Sequence, residues 1–377
     1  MQYRKFGSLD WQGSALGFGA MRLPQTSSKP EDVNEAEAIR MIRYAIDNGV
    51  NYVDTAYTYH GGRSEVVVGK ALQDGYRSKV KLATKLPSWP VKTAADFDRI
   101  LEEQFKRLQT DLIDLYLLHG MNRDNWAKLR DLKVLDWAEK AMAAGRIGKL
   151  GFSFHDDFYV FKELVDAYDN WTFCQFQYNF MDTDFQAGMR GLNHAARKGL
   201  AVVVMEPLRG GSLAKQPPEK VARVWAEARQ KRTPAEWALL WMWEQPKVSV
   251  ALSGMSTFDQ VKENIAIAGR SGPGVLTQEE MALIERAKEA FKTLNPIPCT
   301  GCGYCQPCNQ DVDIPRIFQL YNNGVIYDYF YPSRFWYNAP LGLADKCIEC
   351  GECEDLCPQK VPIREWLKKA HAELGKK

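Results

Sequence analysis

From residue 15 to about residue 255, short apolar runs alternate with stretches of helical periodicity. The runs are Ala15–Gly19, Tyr52–Thr55, Val80–Leu86, Ile113–His119, Lys149–Phe154, Phe173–Tyr178, Ala201–Leu208 and Val248–Gly254. Several are continuously apolar rather than alternating, as expected of parallel strands covered on both faces. Between them Ile39, Ile42 and Ile46 share one helical face, as do Phe97, Leu101, Phe105 and Leu108, and then Phe158, Phe161, Leu164 and Tyr168. Thr233-Pro234-Ala-Glu236 reads as a helix start with cap, first-turn proline and capping-box glutamate. Thr257 with Gln260 and Thr277 with Glu280 follow the same logic. Eight strand–helix units within about 280 residues predict an α/β fold, a (β/α)8 TIM barrel. An open doubly wound sheet would place a glycine-rich phosphate turn after its first strand. Gly17-Phe-Gly19-Ala-Met-Arg22 lacks the third glycine of that turn.

The helical pattern Gln278–Leu294 ends at Asn295-Pro296-Ile-Pro298, a boundary signal. Two domains are therefore expected, a barrel over 1–295 and a small, mainly helical domain over 296–377. Of the nine cysteines, Cys174 stands alone among apolar neighbours, and the other eight fall between 299 and 357. A chain of 377 residues with its own core has no need of disulfide staples, so metal ligation is the natural reading of the cluster. The first block is Cys299-x2-Cys302-x2-Cys305-x2-Cys308. The second is Cys347-x2-Cys350-x2-Cys353-x3-Cys357-Pro358, the bacterial ferredoxin run, whose fourth cysteine serves the other cluster. Two [4Fe–4S] clusters with crossed ligands follow. One is held by Cys299, Cys302, Cys305 and Cys357, the other by Cys347, Cys350, Cys353 and Cys308. The first block departs from the run in its last spacing and has Asn309 where proline is usual. A pair of zinc sites is the alternative, although zinc ribbons normally join two separated CxxC knuckles per metal.

Charge and composition narrow the classes. Lys+Arg 49 against Asp+Glu 47 leaves no basic field for nucleic acid or an anionic membrane. No run of 18 apolar residues exists, so no transmembrane helix is expected. Met1-Gln-Tyr-Arg-Lys-Phe-Gly7 has no apolar signal core, and the cytoplasm is the expected location.

Barrel enzymes carry their chemistry at the C-terminal ends of strands. Polar residues there are Asp54, Lys85, His119 and Gln175, with Tyr59 in the loop after Asp54. Singly, each is an ordinary strand-end polar residue; together they suggest carbonyl reduction. A tyrosine hydroxyl is a weak acid, with a pKa of about 10. A lysine cation beside it eases proton release, and a buried lysine needs a counter-charge such as Asp54. His119 would orient the substrate oxygen. The set then donates a proton to an oxygen gaining negative charge as hydride arrives at carbon.

Asp54-Thr-Ala-Tyr57-Thr-Tyr59, Ala83-Thr-Lys85, Leu117-Leu-His119 and Gln175-Phe-Gln-Tyr-Asn resemble the aldo-keto reductase family over roughly residues 1–295. The whole chain is similar to its ferredoxin-fused branch. The resemblance implies an oxidoreductase that interconverts carbonyl and alcohol with NADP(H) or NAD(H), using a tetrad of Asp54, Tyr59, Lys85 and His119. It implies Ser153 and Gln175 on the nicotinamide carboxamide, Met205 at the ring-stacking position and Leu208 beside it. Gly254, Ser256, Gln260 and Asn264 fall in the adenosine-phosphate segment. Phe154 replaces the usual asparagine beside Ser153, Met205 the usual aromatic, and Gly254 and Gln260 the usual basic residues. NADP against NAD stays open, with Arg209 and Lys262 as substitute cations.

The implied partners are a small carbonyl or alcohol substrate and an electron-transfer protein, with no nucleic acid and no membrane. A difficulty of parity remains: hydride carries two electrons, while each cluster takes one. The alternatives are clusters that fold or dock the tail beside an ordinary NADPH reductase, or a one-electron reductase without nicotinamide. Trp89, Tyr57 and the aromatics between Tyr327 and Trp336 either line a substrate pocket or pack the tail.

Overall fold

A computed structural model describes residues 1–376 apart from 28, 300, 302 and 339–342. The chain divides into two compact units, Met1–Arg209 with Ala235–Thr277, and Gly210–Pro234 with Gln278–Lys377.

The first unit opens with an antiparallel hairpin, β1 (Tyr3–Lys5) and β2 (Gln12–Ser14), which the hydrophobic pattern does not announce. Eight parallel strands follow: β3 (Leu16–Gly19), β4 (Tyr52–Asp54), β5 (Lys81–Pro87), β6 (Ile113–Met121), β7 (Ile147–Phe154), β8 (Phe173–Gln177), β9 (Ala201–Met205) and β10 (Val250–Ser253). Among the described residues they close into a barrel in the order β10-β3-β4-β5-β6-β7-β8-β9. All eight expected strands are present. The seventh ends at Met205 rather than Leu208, because Glu206 and Arg209 take left-handed backbone (φ 54° and 49°) around Pro207.

In chain order the helices as far as Lys292 are α1 (Glu35–Asp47), α2 (Arg63–Ala71), α3 (Ala95–Leu108), α4 (Arg123–Asp131), α5 (Val134–Ala143), α6 (Phe158–Asp166), α7 (Gly188–Arg197), α8 (Glu219–Ala226), α9 (Pro234–Trp243), α10 (Phe258–Gly269) and α11 (Gln278–Lys292). Thr257 and Gln260 form the expected capping box on α10. On α3 the buried face is Phe97, Ile100, Leu101, Gln104 and Leu108, while Phe105 is only half-buried.

Inside the barrel Tyr52, Ala83, Leu115, Leu117, Phe173, Ala201, Val203, Val250 and Leu252 form one apolar cluster. Phe6, from the hairpin turn, joins it, with Leu9 and Trp11 packed alongside. The turn needs Gly7: its φ is +57°, and a Cβ there would sit 2.5 Å from the Ala201 nitrogen.

The second unit contains α8 and α11 and continues through α12 (Ile314–Ile326), α13 (Tyr331–Tyr337), α14 (Glu352–Leu356) and α15 (Ile363–Leu374). Its core joins Ile297, Val312, Ile317, Phe318, Tyr337, Leu367 and Leu374. Among the described residues, no helix is long and apolar enough to cross a membrane.

Candidate functional site

Side chains alternate along a strand, so the interior face of the barrel continues two residues at a time to the strand ends. Tyr52 is followed on that face by Asp54, Ala83 by Lys85, Leu117 by His119, Phe173 by Gln175 and Val203 by Met205. The apolar interior thus ends in a polar layer dictated by strand period. Tyr59 reaches the same place from a tight turn, Tyr59–Gly62, in which His60 has φ 52°. His60 donates from Nδ1 to the Pro30 carbonyl at 2.8 Å and accepts from the Leu23 N–H at 3.1 Å, which pins the turn.

Lys85 is fully buried. Its Nζ donates to Asp54 Oδ1 at 2.6 Å and to the Thr55 carbonyl at 2.7 Å. It also lies 4.9 Å from the centre of the Tyr59 ring. The His119 ring meets Tyr59 edge-on at 5.8 Å and lies 4.9 Å from Trp89. Burial opposes the Lys85 charge, but Asp54 and Tyr59 outweigh it and hold its pKa above the ordinary value. Burial raises the Tyr59 hydroxyl, and the charge of Lys85 pulls it back. Burial, then the charges of Lys85 and His155, push His119 well below the ordinary histidine range, so the ring is neutral. Asp54 Oδ2, His119 Nδ1 and Gln175 Oε1 are buried without a hydrogen-bond partner among the described residues. The layer therefore holds unmet hydrogen-bonding capacity beside a hydroxyl and a cation.

Behind β5 lies a network that the sequence reading did not single out. Gln104 Nε2 donates to the Lys85 carbonyl at 3.0 Å and to Glu65 Oε1 at 2.8 Å. Thr84 donates to the same oxygen at 2.6 Å, and the Tyr116 hydroxyl donates to Gln104 Oε1 at 2.7 Å. This fixes the backbone that carries Lys85. A glutamate next to Val-Val-Val in α2 was the available signal. Tyr57 turns toward α3, where the Arg107 guanidinium lies 4.2 Å from its ring centre.

The residues implied for nicotinamide fall in two groups. Ser153 and Gln175 are register partners on β7 and β8. Ser153 Oγ accepts the Gly120 N–H at 2.9 Å, which leaves its hydroxyl proton free to donate. Gln175 Nε2 contacts Met205 Sδ at 3.8 Å. A free hydroxyl proton and an unmet amide oxygen fit the two ends of a carboxamide. Leu208 lies three residues beyond Met205, past Pro207.

Gly254, Ser256, Gln260 and Asn264 sit at the β10–α10 junction. Gln260 Oε1 accepts the Ser256 N–H at 2.8 Å, and Asn264 donates to Ser253 Oγ at 3.0 Å. Of the two substitute cations, Arg209 is ion-paired with Asp182 at 3.0 Å and Lys262 with Asp259 at 3.5 Å.

In the second unit the cysteines gather around two cavities. One is lined by Cys305, Cys308, Cys347, Cys350 and Cys353. The other is lined by Cys299, Cys305 and Cys357. Cys302 lies outside the described residues. The described cysteines form no disulfide. Burial, then the charges of Glu354, Cys347 and Cys350, push the Cys353 thiol up to about 11. Thiols crowded in this way could all ionise only around a cationic centre, so the donor set fits a thiolate-ligated cluster. Cys174 is buried in β8, and burial pushes its thiol well above the ordinary range, which suits an inert core residue.

The sequence model of the aldo/keto reductase family matches residues 15–289, and that of a 4Fe-4S dicluster domain matches residues 298–361. L-galactose dehydrogenase of Arabidopsis thaliana is 26% identical over 317 residues, covering 78% of this chain and 96% of its own. The oxidoreductase YqkF of Bacillus subtilis (strain 168) is 27% identical over 316 residues, with 76% and 96% covered. Among solved structures, the holo form of an aldo-keto reductase from Bacillus halodurans is similar with a TM-score of 0.64 at 28% identity, covering 76% of this chain and 96% of its own. An aldo-keto reductase from Klebsiella pneumoniae in complex with NADPH gives 0.61 at 25% identity, with 76% and 94% covered. With a closed barrel whose interior face ends in polar side chains, and a family match across nearly three quarters of its length, this chain belongs to the aldo/keto reductase family as an oxidoreductase extended by a 4Fe-4S dicluster domain.

Proposed function

We propose that the barrel interconverts a small carbonyl compound and its alcohol with NAD(P)(H), and that the tail carries two [4Fe–4S] clusters. The observation that carries the reading is the fully buried Lys85 ammonium, hydrogen-bonded to Asp54 and set against the Tyr59 ring. When bound, nicotinamide supplies a hydride and each cluster a single electron. The protein's part is the proton. Tyr59 donates from its hydroxyl to the substrate oxygen, and the Lys85 cation stabilises the phenolate left behind. Asp54 keeps Lys85 charged inside the barrel. Neutral His119 hydrogen-bonds the substrate oxygen without competing as an acid. Ser153 and Gln175 would hold the carboxamide, and Met205 would cover the ring by apolar contact where an aromatic is more usual.

The two cavities support crossed ligation, with Cys357 closing the set of Cys299, Cys302 and Cys305, and Cys308 closing the set of Cys347, Cys350 and Cys353. A second reading has its own support, because six of these cysteines pack directly against the tail core. Clusters there fold the tail whether or not they pass electrons. Reducing surroundings such as the cytoplasm suit such ligands.

The test is NADPH-dependent reduction of an aldehyde panel by anaerobically purified protein, before and after chelation of its iron. Turnover that survives iron loss assigns the clusters to the tail's structure. Turnover lost with an intact barrel fold assigns them to electron transfer. Absence of nicotinamide-dependent turnover in both forms rejects the proposal.

A further inference from the structure

The barrel mouth holds a cation that the proton chemistry does not use. Arg22 ends the short turn Ala20–Arg22 that follows β3. Its backbone carbonyl accepts a hydrogen bond from Ser256 Oγ at 3.0 Å. Its aliphatic stem lies along Gly254, where an added Cβ would be 3.1–3.2 Å from Arg22 Cδ, Cβ and Cγ. Gly254 does not adopt left-handed backbone, so the missing side chain there provides room for the arginine rather than freedom for a turn. Arg22 is thereby fastened to the segment between β10 and α10.

Among the described residues, the Arg22 guanidinium has no hydrogen bond and no ion pair. Its charge reaches the Tyr59 hydroxyl on one side and the Glu206 carboxyl on the other. Glu206, in left-handed backbone directly after Met205, also accepts no side-chain hydrogen bond among the described residues. The other cations near the mouth are engaged: Lys85 with Asp54, Arg209 with Asp182 and Lys262 with Asp259. A half-buried guanidinium with five donors and no acceptor is poised for an anion, and its planar fork matches phosphoryl oxygens.

We infer that Arg22 binds a phosphoryl group of the nicotinamide dinucleotide across the mouth of the barrel, an inference that rests on the nicotinamide reading above. Attachment of Arg22 to Gly254 and Ser256, just ahead of the α10 N-terminus, favours the cofactor over a substrate anion, since a helix N-terminus is itself suited to a phosphoryl group. Two phosphoryl sources share this chemistry: the diphosphate bridge, present in both NADH and NADPH, and the 2′-phosphate, present in NADPH alone.

The test is titration of the anaerobic holoprotein with NADPH and with NADH, reading dissociation constants from tryptophan fluorescence or calorimetry. Arg22→Met keeps the stem against Gly254 and removes the fork. Arg22→Lys keeps charge without the fork. Arg22→Met should weaken NADPH binding roughly 10- to 100-fold, the range for a charge-assisted hydrogen bond, and Arg22→Lys should recover part of it. An equal loss for NADH assigns the diphosphate, and a loss confined to NADPH assigns the 2′-phosphate. Unchanged constants for both cofactors in a folded Arg22→Met protein overturn the inference and leave the reductase reading intact. Failure of the wild-type protein to bind either cofactor overturns both.

Discussion

Asp54→Asn retains an oxygen for Lys85 Nζ but removes the charge that pairs with it. Lys85 is fully buried and Asp54 nearly so, and the two are joined at 2.6 Å. Stripping one partner from a buried pair typically costs about 3–5 kcal/mol. The lysine can escape that penalty by giving up its proton, so the cost of deprotonation sets a ceiling. With an unfolded pKa of about 10.4, that ceiling is about 4.6 kcal/mol at pH 7 and about 1.9 kcal/mol at pH 9. In the wild type Lys85 is raised above its ordinary value and stays charged across this range. In the variant its folded pKa falls below the unfolded one, so the penalty is greatest at low pH and shrinks as pH rises toward 10.4. Anaerobic urea denaturation of both proteins at pH 7 and pH 9, followed by tryptophan fluorescence, should show a loss of several kcal/mol at pH 7 that falls to about 2 kcal/mol or less at pH 9. Catalysis should fall at both pH values, since a neutral lysine no longer assists Tyr59. A loss below 1 kcal/mol at pH 7, or an equal loss at the two pH values, would refute the reasoning that Lys85 is held charged by Asp54.

Tyr59→Phe should lower kcat for carbonyl reduction by a factor on the order of 10² or more while leaving cofactor affinity nearly unchanged, which steady-state kinetics with a binding titration would check. Burial holds His119 well below its ordinary value and His155 down at about 4. Their contribution to stability is complete above about pH 6.5 and lost as pH falls below it, so the barrel's melting temperature should drop from pH 7 to pH 5, less so in a His155→Gln variant. Anaerobic protein should carry about eight iron and eight acid-labile sulfide per chain, and stoichiometric zinc without a brown chromophore would exclude the clusters. Cys357→Ser should damage the cluster held by Cys299, Cys302 and Cys305, and Cys308→Ser the other. Electron paramagnetic resonance showing that each change disturbs only its nearest block would disprove crossed ligation.

The eight strands were legible because barrel strands are covered on both faces and read as apolar runs, and the two-residue period of the inner face leads directly to Asp54, Lys85, His119 and Gln175. The hairpin of β1 and β2 was not legible. Its strands are three residues each and largely polar, and Phe6 declares its role only once the barrel exists to receive it. Gln104 misled the α3 pattern because a polar side chain occupies a buried place for the sake of Lys85's carbonyl, displacing Phe105 to the rim. Arg22 was invisible for a similar reason. Its meaning comes from an absent side chain at Gly254, more than 200 residues away. The cysteine spacing was readable because cubane ligation imposes short fixed intervals, whereas the partition of ligands between two cavities depends on how α14 and the first block fold back on one core.

In the proposed reaction Tyr59 protonates a substrate oxygen as hydride reaches the adjacent carbon. The decisive experiment is an anaerobic single turnover with NADPH deuterated at the transferable position and an aldehyde that the enzyme accepts. One deuterium is expected on the carbinol carbon, on one face only, at a rate that collapses in Tyr59→Phe. Alcohol formed without deuterium at carbon, with the clusters oxidised in step, would contradict it.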